Sequence, residues 1–90
     1  SLPQLAQRLS MSTNYLSQLL NEHFKQNFFD YVNRYRVAAA LPLLTHSADT
    51  VLDIAMAVGF NSKSAFYTAF KKHQQQTPGE YRQQQRQAVP

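Results

Sequence analysis

The sequence predicts an all-α fold: two helix-turn-helix subdomains joined by a long linker helix, homeodomain-like, with about six to seven helices. Three observations predict it. From Ile54 to Phe70 a short apolar run, a turn holding Gly59 and an amphipathic stretch follow one another. The same order of residues occurs earlier, from Leu5 to Leu20, and a glycine-free run from Phe28 to Thr45 separates the two. Only two glycines and many helix formers argue against a β fold.

The second motif is the clearer. Ile54, Ala55 and Val58 make a helix-like apolar run that Gly59 breaks, glycine being the residue that tolerates left-handed geometry at a helix end. Asn61 and Ser62 then offer N-cap oxygens. Ala65, Phe66, Ala69 and Phe70 form a narrow apolar stripe. Lys63, Ser64, Tyr67, Thr68, Lys71 and Lys72 take the opposite, outward face.

In the first motif Leu5-Ala6 with Leu9 parallels Ile54-Ala55 with Val58, at an offset of about 49 positions. Past the turn Ser12, Leu16 and Leu20 parallel Ser62, Phe66 and Phe70, at about 50, so the second turn is one residue longer.

The elements follow in order. Ser1 caps the first helix, with Pro3 in its first turn and Gln4 at the capping-box position; Leu2, Leu5, Ala6 and Leu9 form its buried stripe. Ser10 and Met11 turn, and Ser12 caps a second helix with Leu16, Leu19 and Leu20 inward and Asn14, Ser17, Gln18 and Asn21 outward. Asn27 caps the linker helix and Asp30 favours its positive N-terminus. That helix runs to about Thr45, roughly 27 Å long at ~1.5 Å per residue. Tyr31, Val32, Tyr35, Val37, Ala40, Leu43 and Leu44 supply its apolar faces, and Pro42 predicts a bend. His46 to Asp49 is a loop; Thr50 caps the next helix with Asp53 at the third position. A helix from Ser62 runs to about Gln74, and Thr77-Pro78-Gly79-Glu80 starts the last, with cap, proline and glutamate in place. Tyr81 packs on the second half, and the polar tail after Arg82, QQQRQAVP, frays. The divisions are 1–27, 28–46 and 47–90, and so abrupt a start reads as an excised fragment.

Composition narrows the function. A hydrophobic content of 43% supports a packed core. Nine Lys and Arg against five Asp and Glu give a net charge of +4 and a pI near 9.7, which suits an anionic partner. Without cysteine there is no disulfide scaffold, thiol nucleophile or zinc-finger cluster. No apolar run reaches the ~18 residues of a membrane span, so no membrane contact is expected. His23, His46 and His73 fall in different segments, none with another histidine or a cysteine one turn away, so neither a metal nor another cofactor is expected. No Ser-His-Asp spacing, phosphate loop or carboxylate pair supports an enzyme. Tyr31 and Tyr35 read as core, and Arg36 as a half-buried group holding carbonyls or an acid.

These motifs resemble the DNA-binding domain of AraC/XylS-family bacterial transcription regulators. The likeness runs from Leu2 to Arg82: IAMAVGFNSKSAFYTAFKK with trailing TPGEYR matches the family hallmark, and LAQRLSMSTNYLSQLLNE with NFFDYVNRYRV adds the first half. The resemblance implies double-stranded DNA as partner, RNA polymerase as a further one, a cytoplasmic setting, and a sensory or dimerisation domain elsewhere in the parent protein. It implies one recognition helix per subdomain in successive major grooves. Lys63, Ser64, Tyr67 and Thr68 would approach base edges, with Ser62, Lys71 and Lys72 nearer phosphates; in the first motif Asn14, Ser17 and Gln18 would read bases, flanked by Ser12 and Asn21. The departures are Lys25 and Gln75, where the family often ends each recognition helix with glycine, Pro42 in the linker, and no guanine-reading arginine on the first outward face. The alternative is a helical protein- or RNA-interaction module with basic faces. Exposed aromatics and leucines would mark it, and on the two outward faces only Tyr67 qualifies.

Overall fold

The computed structural model describes residues 1–88. Val89 and Pro90, the end of the tail expected to fray, lie outside them. Among the described residues are five helices and no strand: α1 (Leu2–Arg8), α2 (Thr13–His46), α3 (Val51–Ala57), α4 (Lys63–Gln74) and α5 (Pro78–Ala88). The number falls below the expected six to seven because the first recognition segment and the linker are one helix. Two compact units divide the chain, Ser1–Tyr31 and Val32–Pro90.

In the first unit, Ser1 Oγ accepts the Gln4 N–H and the Ser1 ammonium donates to Gln4 Oε1, each at 3.4 Å, a complete capping box. α1 ends with Ser10 in the left-handed region at φ 56°, where Met11 N–H reaches Ala6 O at 3.0 Å and Ser10 N–H reaches Gln7 O at 3.1 Å. This closure is the Schellman pattern. Ser12 Oγ then accepts the Tyr15 N–H at 3.1 Å and starts α2. The buried apolar residues here are Ala6 and Leu16, while Leu5, Leu9 and Leu19 stay 43%, 51% and 39% exposed. The broad stripes read from the sequence therefore shrink to one residue on each helix. A seven-residue α1 makes barely two turns, so few of its positions share one side.

No cap forms at Asn27. α2 passes straight through Lys25, Gln26 and Asn27, and the Asn27 amide instead meets His23 Nε2 one turn back at 3.2 Å. Neither Gly nor Pro stands there, no positive φ occurs, and asparagine costs a helix only some tenths of a kcal/mol. Phe24, Phe28, Phe29 and Tyr31 are exposed along this stretch.

The second unit holds the larger core. Val37, Ala40 and Leu44 of α2, Ile54 and Ala55 of α3, Phe60 of the turn, and Phe66, Ala69 and Phe70 of α4 are all buried. Phe60–Phe66, Phe66–Phe70 and Phe70–Tyr81 pack in a chain, the first pair tilted and the other two edge-to-face, with centroids 5.2, 5.5 and 5.8 Å apart. Burying each phenyl contributes about 1.5–3 kcal/mol, and such ring pairs add about 0.5–1.5 kcal/mol. Tyr81 thus packs as expected, but Tyr35 is 73% exposed. It precedes Val37 by two positions, about 200° of helical rotation, which points it away from the Val37–Leu44 stripe.

α2 continues past Pro42, which is exposed and lacks the N–H that would serve the Ala38 carbonyl. At the end of α2 the orphan carbonyls are collected by side chains. Arg82 Nε donates to Leu44 O at 3.0 Å and its Nη2 to Ser47 O at 3.2 Å, while Arg86 Nη2 reaches Ser47 O at 3.0 Å. Arg86 sits in the tail expected to fray, yet α5 stays helical to Ala88. Thr50 Oγ1 caps α3 by accepting the Asp53 N–H at 3.1 Å. α3 closes as α1 does: Gly59 has φ 108°, Phe60 N–H reaches Ala55 O at 2.9 Å and Gly59 N–H reaches Met56 O at 3.1 Å. Arg36 lies over the Phe60 ring at 5.9 Å, so its partner is an aromatic face and not the carbonyl or acid expected.

Candidate nucleic-acid interface

α4 is fixed at both ends and along one side. Ser62, extended at φ −155° and ψ 158°, accepts the Ala65 N–H on Oγ at 3.1 Å. At the other end Gln75 takes the left-handed conformation, φ 59° and ψ 23°, donating its N–H to Lys71 O at 2.9 Å. Its side-chain amide adds a bond to Lys72 O at 3.1 Å, a second satisfied carbonyl that glycine could not supply. Phe66 and Phe70 anchor the inner face. The helix is therefore a rigid platform, which places Lys63, Ser64, Thr68, Lys71 and Lys72 in solvent.

Tyr67 differs from its neighbours. It is half-buried, packs its ring against the core, and carries Lys63 Nζ over that ring at 5.5 Å. Lys63, Ser64 and Tyr67 line a shallow concavity of about 430 Å³. The basic last turn, Lys71 with Lys72, also complements the negative end of the helix.

In the first unit Ser12, Asn14, Ser17, Gln18 and Asn21 are all exposed at the start of α2, so the face read from the sequence is presented. Gln18 Nε2 points toward Glu22 Oε1, 3.5 Å away, at the limit of a hydrogen bond. Sequence reasoning passed over Glu22. It is an acidic group one turn beyond Gln18, which a polyanion would meet unfavourably. It also passed over Arg82 and Arg86, whose i, i+4 spacing on α5 was the available signal.

Among the described residues no cluster of His, Asp and Glu is arranged to hold a metal ion, and no helix is long and apolar enough to cross a membrane. The outward groups of α4 are hydroxyls, ammonium groups and one phenol ring. Hydroxyls and ammonium groups hydrogen-bond base edges and phosphate oxygens.

Two turn-linked helix pairs with the same cap, the same closing bonds and a polar outward helix define a tandem helix-turn-helix domain. A model of that family, described as a helix-turn-helix domain, matches residues 5–84. The chain belongs to this family of DNA-binding transcription regulators, in its AraC type. It is similar to an uncharacterised HTH-type transcriptional regulator of Bacillus subtilis, YtdP, with 36% identity over 86 residues, 96% of this chain and 11% of that protein. It is similar also to the C-terminal domain of the two-component response regulator yesN of Fusobacterium nucleatum, with 36% identity, a TM-score of 0.58, and coverage of 91% of this chain and 80% of that one. An AraC-type transcriptional regulator from Chromobacterium violaceum shares the fold at a TM-score of 0.59 and 24% identity, covering 100% of this chain and 79% of that one. The chain thus spans about a tenth of the length of YtdP, 11%.

Proposed function

We propose that this domain binds duplex DNA sequence-specifically as the output module of a transcription regulator, with one recognition helix from each motif in successive major grooves. The observation that carries it is the polar and basic outward face of α4, held rigid by the Ser62 cap, the Phe66–Phe70 anchor and the Gln75 closure. Lys63, Ser64, Tyr67 and Thr68 face base edges; Ser62, Lys71 and Lys72 face phosphates. In the first motif Asn14, Ser17 and Gln18 read bases, Gln18 pairing bidentately with adenine, beside Ser12 and Asn21. The parent protein supplies a sensory or dimerisation domain, works in the cytoplasm, and engages RNA polymerase to activate transcription.

A second reading, a protein-docking module, is favoured by one observation: the exposed rings of Tyr15, Phe24, Phe28, Phe29 and Tyr31 in the first unit.

Mobility shifts of the ninety-residue chain on specific and random duplexes at several salt concentrations test the proposal. Lys71→Ala should weaken binding to every sequence and lower the salt slope by about one. Gln18→Ala should cost about 1–3 kcal/mol at one base position and little on random DNA. Salt-independent or absent DNA binding, with the first unit's aromatics needed to hold a protein partner, would favour the second reading.

A further inference from the structure

On the outward face of α4, Lys63 and Tyr67 are a preassembled pair. Lys63 opens the helix and Tyr67 stands one turn on. The phenol ring packs against the core, which limits its freedom, and the Lys63 ammonium sits over it at 5.5 Å. The two share one concavity with Ser64. Lys63 begins partly ordered by the ring, which lowers the cost of ordering its long side chain on contact.

The chemistry of each partner selects a different target. An ammonium donates and never accepts, so in a major groove it seeks the paired acceptors N7 and O6 of guanine. A ring held on the core offers apolar surface at its exposed edge, and the apolar group displayed in the major groove is the C5-methyl of thymine. Four residues of helix advance by about 6 Å, and neighbouring base pairs are about 3.4 Å apart. The two targets therefore lie one or two base pairs from each other.

Resting on the DNA-binding reading above, we infer that Lys63 and Tyr67 act as one specificity unit, which reads a guanine together with a pyrimidine C5-methyl one or two base pairs away. Tyr67 recognises the methyl through its ring and not its hydroxyl. Because Lys63 rests on that ring, loss of Tyr67 also relaxes the guanine preference.

The test uses the unaltered ninety-residue chain first. A preferred duplex is selected from a random pool, and each thymine in it is replaced in turn by uracil, cytosine or 5-methylcytosine. At one thymine, uracil should weaken binding about fourfold, the worth of one buried methyl group. Cytosine there should weaken it further, and 5-methylcytosine should recover part of that loss. Replacing the guanine one or two positions away by 7-deazaguanine should weaken binding about tenfold, an effect that Lys63→Met removes. Tyr67→Phe should keep the methyl sensitivity and Tyr67→Ala should lose it. Affinity indifferent to the methyl at every thymine overturns the inference, as does a methyl effect that survives in Tyr67→Ala. Since the uracil series needs no substitution in the protein, a poorly folded variant leaves the test intact. If no duplex is selected over random DNA, sequence-specific binding itself fails and the inference falls with it. A selected site without the methyl effect removes the inference alone.

Discussion

The two turns, Leu9–Ser12 and Val58–Ser62, are closed by matching hydrogen bonds, yet the helices after them end differently. Met11 to Ala6 and Phe60 to Ala55 close the turns at 3.0 and 2.9 Å, and Ser12 and Ser62 each cap the following helix at 3.1 Å. α4 then stops at Gln75 in a left-handed cap, although a glutamine stands where glycine is easier. α2 runs on through Lys25, the position that corresponds in the family pattern. The difference lies in the residues just beyond these two positions. Gln75 is succeeded within three residues by Thr77 and Pro78, which start a new capped helix and cannot extend the old one. Lys25 is succeeded by Gln26, Asn27 and Phe28, all of which a helix accepts. Helix termination is therefore decided jointly by the stop residue and by a competing start beyond it.

The units also differ in burial. The second packs four rings with residues of α2 and α3, whereas the first buries only Ala6 and Leu16. Phe66→Ala should therefore cost about 3–5 kcal/mol in urea unfolding, while Leu16→Ala should cost about 2 kcal/mol, the low end for such a change. Equal losses followed by one cooperative transition would show that the units share a single core and would dissolve the distinction.

The turns can be compared by side-chain tolerance. A Cβ on Gly59 would stand 2.9 Å from Arg36 Nε, and φ 108° lies outside the region that alanine favours. Gly59→Ala should destabilise the second unit by about 1–3 kcal/mol. Ser10→Ala, at φ 56°, should change stability by less than about 0.5 kcal/mol, because a side chain is already accommodated there. Thermal melts of the two variants give the contrast, and similar losses would mean that the Arg36 contact is immaterial.

The sharpest comparison is one substitution at two places. Gln75→Gly should stabilise by less than about 1 kcal/mol, since relief of left-handed strain is partly offset by loss of the side-chain bond to Lys72 O. Lys25→Gly should destabilise by about 1 kcal/mol, since glycine is a poor residue within a helix. Circular dichroism through thermal unfolding reads both. A stabilising Lys25→Gly would mean that α2 ends there in solution, as a cap at Asn27 would require.

The smallest effect concerns the box that starts α5. Thr77 N–H donates to Glu80 Oε1 at 2.9 Å and Glu80 N–H donates to Thr77 Oγ1 at 3.1 Å. The bond from the Thr77 backbone, then that from its side chain, holds the Glu80 carboxyl below its ordinary pKa, with a lesser contribution from Lys71. A carboxyl depressed on folding favours the native state above its unfolded pKa, and this contribution fades as pH falls through the folded value. Stability measured from neutral pH into the acid range should drop more in the native chain than in Glu80→Gln, by a small amount because Glu80 is exposed. Coincident curves would assign the acid loss to other carboxylates.

Much of the molecule was legible in residue order because its signals are local. The caps at Ser1, Ser12, Thr50, Ser62 and Thr77, the glycine turn, the longer second turn and the Phe66–Phe70 stripe depend on neighbours within about one helical turn. The outward faces of α4 and of the start of α2 came from the same periodicity. What only the tertiary structure decided depends on groups far apart in the chain. Arg82 and Arg86 became visible as caps of α2 once α5 lay beside Ser47. Arg36 found an aromatic partner only when the α3–α4 turn brought Phe60 against it. The continuity of α2 at Lys25 and the exposure of Tyr31 and Tyr35 rest on which side of a helix finds a partner. Local sequence sets how a segment can fold, and long-range packing selects among states that differ by about 1 kcal/mol.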